Sequence, residues 1–267
     1  MRLIPVISIL LSLTACGGGG SSSNGGGNPI NTVPPSTPAD ADFGGLWSGT
    51  FAHADQTFED IVALTAADGS FVFVSLDTFG PGTYGQYSGT ASIDVGQVTG
   101  TGQAYAAAGS TWSDGSSVAA VELTADVVEH SSMTGSLNAG AATSGTFELE
   151  YDPNYERASS LDLLTGVWYV YNDLLNPIAT FTFEPDGSFL GQSVSGCQSS
   201  GSASIIDATR NLYAWDVTII NCPIAGTYAG LGALGDAPTD DPATSQNNVF
   251  VVAMSNGVRA NLLPLER

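Results

Sequence analysis

Catalysis or metal binding needs a base, a nucleophile or a set of ligands, and this chain offers few. Its only histidines are His53 and His130. Either could serve as a general base, but both fall in or beside expected loop regions. No Gly-x-Ser-x-Gly, His-Glu-x-x-His, phosphate-loop or dinucleotide-binding motif accompanies them. Carboxylates are plentiful, with 26 Asp and Glu against five Lys and Arg, so an acid pair must be judged by placement. Glu148 and Glu150 alternate with Phe147, Leu149 and Tyr151, which is the pattern of a strand with one solvated face. Asp236, Asp240 and Asp241 lie in "GDAPTDDPATSQNN" and have oxygens that calcium favours. The EF-hand spacing is absent, so a polar hairpin loop accounts for them. Cys197 and Cys222 belong to no Cys-x-x-Cys pair, and with two histidines in the chain they read as a disulfide, not a zinc site. Such a bridge stabilises by roughly 3–4 kcal/mol on the loop-entropy model. The expectation is therefore a non-enzyme, with no catalytic residue, cofactor or metal.

Charge narrows the partners further. The formal net charge is −21, and all five basic residues are arginines. A field of that sign disfavours nucleic acid and anionic lipid surfaces, and speeds encounter with a cationic protein. It also suits plain solubility, and the carboxylates are spread along the chain without forming one tail.

The elements that must carry these residues are strands, and they come in two sets. "GLWSGTF" at 45–51 recurs as "GVWYVYN" at 166–172, "AADGSFVF" at 66–73 as "EPDGSFLG" at 184–191, and "SGTASID" at 88–94 as "SGSASII" at 200–206. Three matches in one order indicate an internal duplication. Alternating or continuous apolar runs rich in aromatic and β-branched residues predict strands over 44–52, 57–65, 70–77, 86–94, 96–107, 117–128, 131–138 and 144–151. The second set is 166–171, 177–184, 187–195, 200–208, 211–221, 224–235, 246–254 and 256–264. Asp68-Gly69, Asp186-Gly187 and Asn256-Gly257 mark tight hairpins. Consecutive hairpins of eight strands predict an all-β chain of two tandem, small, antiparallel up-and-down barrels, over 43–155 and 156–267. A short helix over 155–166, capped by Ser159 or Ser160 and ended by Gly166, is expected to join them. Tyr213, Trp215, Val217 and Ile219 share one face and read as barrel core, while "NVFVVAM" at 248–254, apolar on both faces, predicts contact between the units.

Ahead of the barrels stand two segments of different character. Arg2 and the apolar run Leu3 to Leu13 are too short to span a bilayer, which needs roughly 20 residues, and read as an export signal over 1–15. Leu13-Thr14-Ala15-Cys16 resembles the bacterial lipobox. That resemblance implies cleavage before Cys16, diacylglycerol on its thiol and acylation of the new amino group, which together hold a protein firmly at a membrane. Gly17, in the place where an aspartate often signals retention at the inner membrane, implies the outer membrane by the same resemblance. Residues 16–42, rich in Gly, Ser, Asn and Pro, form an expected disordered tether with a reach of about 25–30 Å.

A turn or short helix leading into Gly-x-Trp, at Gly45-Leu46-Trp47 and Gly166-Val167-Trp168, resembles the first strand of lipocalins and the wider calycin barrels. The likeness implies that Trp47 and Trp168 each close one end of a barrel, with Leu46 and Val167 pointing the other way. The units are shorter than a typical lipocalin, and a lumen holding Trp, Phe and Tyr leaves little room for a ligand. A fold-level likeness carries no ligand with it. The resulting expectation is a cell-envelope lipoprotein whose barrels bind or act as scaffold. Weighed beside it are an inhibitor that captures a cationic enzyme such as a lysozyme, a carrier of a small hydrophobic ligand, and a hydrolase, for which no positioned base is present.

Overall fold

The computed structural model describes residues 42–54, 57–76, 84–172, 176–237 and 245–267. The lipobox, the export signal and nearly all of the tether lie outside the described residues. The first barrel consists of β1 (Gly45–His53), β2 (Phe58–Thr65), β3 (Ser70–Leu76), β4 (Tyr84–Asp94), β5 (Gln97–Tyr105), β6 (Val118–Val128), β7 (Ser132–Asn138) and β8 (Ser144–Tyr151). The second consists of β9 (Gly166–Tyr171), β10 (Pro177–Phe183), β11 (Ser188–Ser193), β12 (Gln198–Ile205), β13 (Tyr213–Ile220), β14 (Gly226–Gly235), β15 (Val249–Ser255) and β16 (Ala260–Glu266). Each set closes on itself with neighbours in sequence order, so both are up-and-down antiparallel barrels.

Period-two alternation fills the lumens. Phe51, Phe71, Phe73, Tyr87 and Phe147 pack inside the first barrel, and Trp168, Phe183, Phe189, Trp215 and Phe250 inside the second. The next residue along each strand faces outward, which is why Val121, Leu123, Ala125 and Val127 are buried while Glu122, Thr124 and Asp126 are exposed.

The repeat extends to individual hydrogen bonds. In the β2–β3 turn the Gly69 N–H donates to Ala66 O and Ala66 N–H to Ser70 O, and Gly69 O accepts from Ala91 N–H. In the β10–β11 turn Gly187, Glu184, Ser188 and Ala203 make the same three bonds. Asp68 and Asp186 each accept from the N–H two residues on, at 2.9 Å in both. Gly69 and Gly187 have φ of +92° and +83°, and a Cβ there would lie 2.2 Å from Ala91 O and 2.3 Å from Ala203 O. Only glycine fits a three-residue hairpin of this kind.

The joining helix is a correction. The segment between the barrels holds two 3₁₀ turns, Pro153–Glu156 and Leu161–Leu163, with extended residues between them. Each turn has its own cap: Asp152 accepts from Asn154 N–H, and Ser160 accepts from Asp162 N–H. Between the turns, Ser159 N–H and hydroxyl donate to Ala208 O and Asp207 O of the second barrel. Backbone groups committed to a neighbouring loop cannot extend a helix ladder. Nor does Gly166 end a helix: the second turn is capped at Leu164, and Gly166, at φ +116°, opens β9.

The barrels pack wall to wall. The outward faces of β1–β3 contribute Leu46, Leu64, Val72 and Val74, and the second barrel contributes Leu212, Leu231, Ala233 and Ala253. Ala253 lies in "NVFVVAM", where β15 is buried on both faces as expected. At the rim of this contact, the Gln86 amide donates to Met254 O at 3.2 Å and the Ser88 and Ser255 hydroxyls are 3.1 Å apart.

Candidate functional site

The two Gly-x-Trp tryptophans are buried at equivalent positions but are held differently. The Trp47 indole N–H donates to the Thr65 hydroxyl at 2.9 Å, which in turn donates to Phe43 O. The Tyr151 ring meets Trp47 edge-on, with centroids 5.2 Å apart. The Trp168 indole N–H donates to Leu164 O at 2.6 Å, in the turn that leads into β9. Above Trp168 lies the Arg267 guanidinium, 4.5 Å from the ring centroid, which donates to Leu163 O and Asn247 O. Burial holds the Arg267 pKa below its usual value. Trp47 pairs with Tyr151 across β1–β8, and Glu266 with Tyr169 across β16–β9, so Tyr151 and Arg267 occupy matching places.

Cys197 and Cys222 form a disulfide with Cα atoms 5.0 Å apart, as their isolation in the sequence suggested. Both pack at the edge of the second core, where β12 begins and β13 ends. They clip adjacent strand ends.

The two histidines are in unlike settings. His53 is the inward residue at the end of β1; its ring is 4.7 Å from Phe51 and its Nε2 is 3.1 Å from Glu59. Beside Phe51, the Tyr87 hydroxyl is buried and makes no close hydrogen bond among the described residues. Desolvation pushes its pKa well above the usual phenol range, against the opposing effect of the Thr143 side chain beside it. The Trp112 ring stacks on Tyr87, with centroids 6.0 Å apart. His130 sits in the β6–β7 turn at φ +53° and approaches Glu156 at 3.3 Å. Glu156 also accepts from Tyr151 and pairs with Arg210, whose guanidinium lies 5.5 Å above the Tyr155 ring. Desolvation pushes Tyr151 and Tyr155 up to about 12.

This second cluster ties both barrels to the joining segment, and no periodic pattern in the sequence points to it. Its members are far apart in the chain and come from turns. The cue that existed was the excess of carboxylates over arginines, and Arg157 and Arg210 each pair with one, whereas Arg259 and Arg267 bond backbone carbonyls.

Glu148 and Glu150 project from β8 into solvent, as their alternation predicts. Asp236 makes a bidentate pair with Arg157 at 2.6 and 2.8 Å, whose hydrogen bonds hold its carboxyl below the usual range. Asp240 and Asp241 lie outside the described residues. Among the described residues, no group of three His, Cys, Asp or Glu is placed to hold a metal ion. Tyr213, Trp215, Val217 and Ile219 are lumen core.

The outer walls differ sharply in charge. Glu122, Asp126, Glu148 and Glu150 stand exposed on β6 and β8 of the first barrel. Strands β9, β10, β11 and β12 of the second carry no charged residue at all. No protein-family model matches the chain, and no curated protein is similar to it.

Proposed function

We propose that this chain is a cell-envelope lipoprotein, anchored through lipid on Cys16, whose tandem barrels bind or scaffold through their outer walls. The observation that carries the second half is the filling of both lumens. In the second barrel Phe189 stacks on Trp215 at 4.2 Å with Phe183 and Phe250 around them, and in the first Trp112 covers Tyr87. A carrier of a small hydrophobic ligand needs a cavity where these rings stand. The walls are what is left for recognition, and they suit a scaffold joined as one piece.

The anchor rests on the register of Arg2, the apolar run, Leu13-Thr14-Ala15 and Cys16, followed by a stretch rich in Gly, Ser, Asn and Pro. On this reading the protein sits at the outer membrane. Fractionation of cells expressing the full chain tests it: the protein pellets with membranes, and intact mass places acyl groups on Cys16. Cys16→Ser releases it to the soluble fraction. Unchanged fractionation of Cys16→Ser overturns the anchor.

A second reading, capture of a cationic enzyme such as a lysozyme, draws on the acidic wall of β6 and β8. Glu122, Asp126, Glu148 and Glu150 lie on one surface with exposed Thr124 and Thr134 between them. Such a wall attracts a basic partner in a salt-dependent way. Replacing the four by Gln abolishes retention of lysozyme at low salt on this reading, and no retention by the unaltered chain rejects it.

A further inference from the structure

The wall by which the first barrel holds the second has a duplicate, and the duplicate is uncovered. Register fixes the correspondence. Leu46 faces Leu64 in the β1–β2 hairpin as Val167 faces Thr182 in β9–β10. Ser70 faces Thr90 in β3–β4 as Ser188 faces Ser202 in β11–β12. Carried along the strands, Leu46, Val72 and Leu76 correspond to Val167, Leu190 and Val194, Leu64 and Val74 to the polar Thr182 and Gln192, and Gln86 and Ser88 to Gln198 and Ser200. In the first barrel this set is engaged: Leu46 and Val72 are 8% and 4% exposed, and Gln86 and Ser88 bond to β15. In the second barrel Val167, Leu190 and Val194 are 43%, 70% and 81% exposed, and Gln198 and Ser200 face solvent.

Charge decides what can cover it. The chain carries −21, yet β9–β12 have no charged residue. A β14–β16 wall, the partner that the first barrel chose, is already occupied in every copy. The exposed wall of β6 and β8 brings Glu122, Asp126, Glu148 and Glu150, whose desolvation against an uncharged surface is costly. The β9–β12 wall of another copy brings none of this. Its hydroxyls and amides are donors and acceptors at once, so the surface is complementary to itself, and its aliphatic side chains meet their own kind. A contact of one patch with the same patch closes after two copies.

We propose that two copies of this chain pair through their β9–β12 walls about a two-fold axis, with Leu190 and Val194 in the contact and the carboxylates kept outside it. Sedimentation velocity of the full chain carrying Cys16→Ser, which removes any lipid-driven association, reads this directly. The expected result is a monomer–dimer equilibrium that tightens with added salt, because salt screens the repulsion between two acidic copies. Leu190→Glu and Val194→Glu, each placing a carboxylate opposite its own image, weaken dimerisation by tenfold or more. Ser200→Glu on the same wall serves if either variant fails to fold. Thr134→Glu on β7 leaves the equilibrium unchanged beyond the small effect of added charge. A monomer at every concentration up to about 1 mM, the weak limit of specific association, overturns the proposal. So does a dimer that survives the wall substitutions.

Discussion

The two barrels share a topology but close their seams by different means. In the first, β1 and β8 pair continuously from Trp47↔Tyr151 to His53↔Gly145, and the backbone does the closing. In the second, β16 meets β9 at the single pair Glu266↔Tyr169. Two residues along in that register, Pro264 would stand opposite Tyr171, and proline has no N–H to give. A side chain takes over there: Arg267 lies over Trp168 and donates to Leu163 O and Asn247 O. The lesson is that one strand order tolerates a short seam when another constraint holds the ends.

The largest effects are expected in the two cores. Trp168→Ala should destabilise by about 3–5 kcal/mol in urea denaturation, and Trp47→Ala by a similar amount. If the first barrel's continuous seam matters, Trp47→Ala retains a closed barrel by hydrogen exchange at β1 and β8 while Trp168→Ala loses protection at β9. Removing the disulfide by replacing Cys197 and Cys222 with Ala comes next, at about 2–4 kcal/mol. Its effect should fall on β12 and β13 exchange and leave the first barrel unchanged; equal loss in both barrels would show that the bridge acts on the whole unit.

Gly69→Ala and Gly187→Ala probe what the two barrels have in common. Both turns are built alike, so each should cost about 1–3 kcal/mol from backbone strain, and by matching amounts. A large mismatch in thermal unfolding would mean that the turns differ in ways their hydrogen bonds do not reveal. The smallest effect concerns Asp236. Its folded pKa is depressed by Arg157, so the pair stabilises above the unfolded value of about 4, and the contribution is lost as pH falls through the folded pKa. With both side chains about a third exposed, no more than about 1 kcal/mol is at stake. Asp236→Asn should flatten that acid limb in stability against pH.

Sixteen strands, their pairing into two sets and the Asp-Gly turns were legible because alternation with period two and turn chemistry are local properties. The disulfide was legible by elimination. The junction cluster of His130, Tyr151, Glu156 and Arg210 was not, since it is assembled from turns far apart in sequence. The joining helix was misread because the pattern of "YERASSLDLLTG" is silent about Asp207 and Ala208, which take the Ser159 donors.

The sequence by itself determined which face of each strand is apolar, and hence that two filled barrels form. Only the tertiary structure decided that Leu46 is covered and Val167 is not, although both follow a glycine and precede a tryptophan in the same motif. Inward burial is dictated by the residues of the strand that bears them, whereas outward burial depends on what another wall presents, and that is a property of the packed pair.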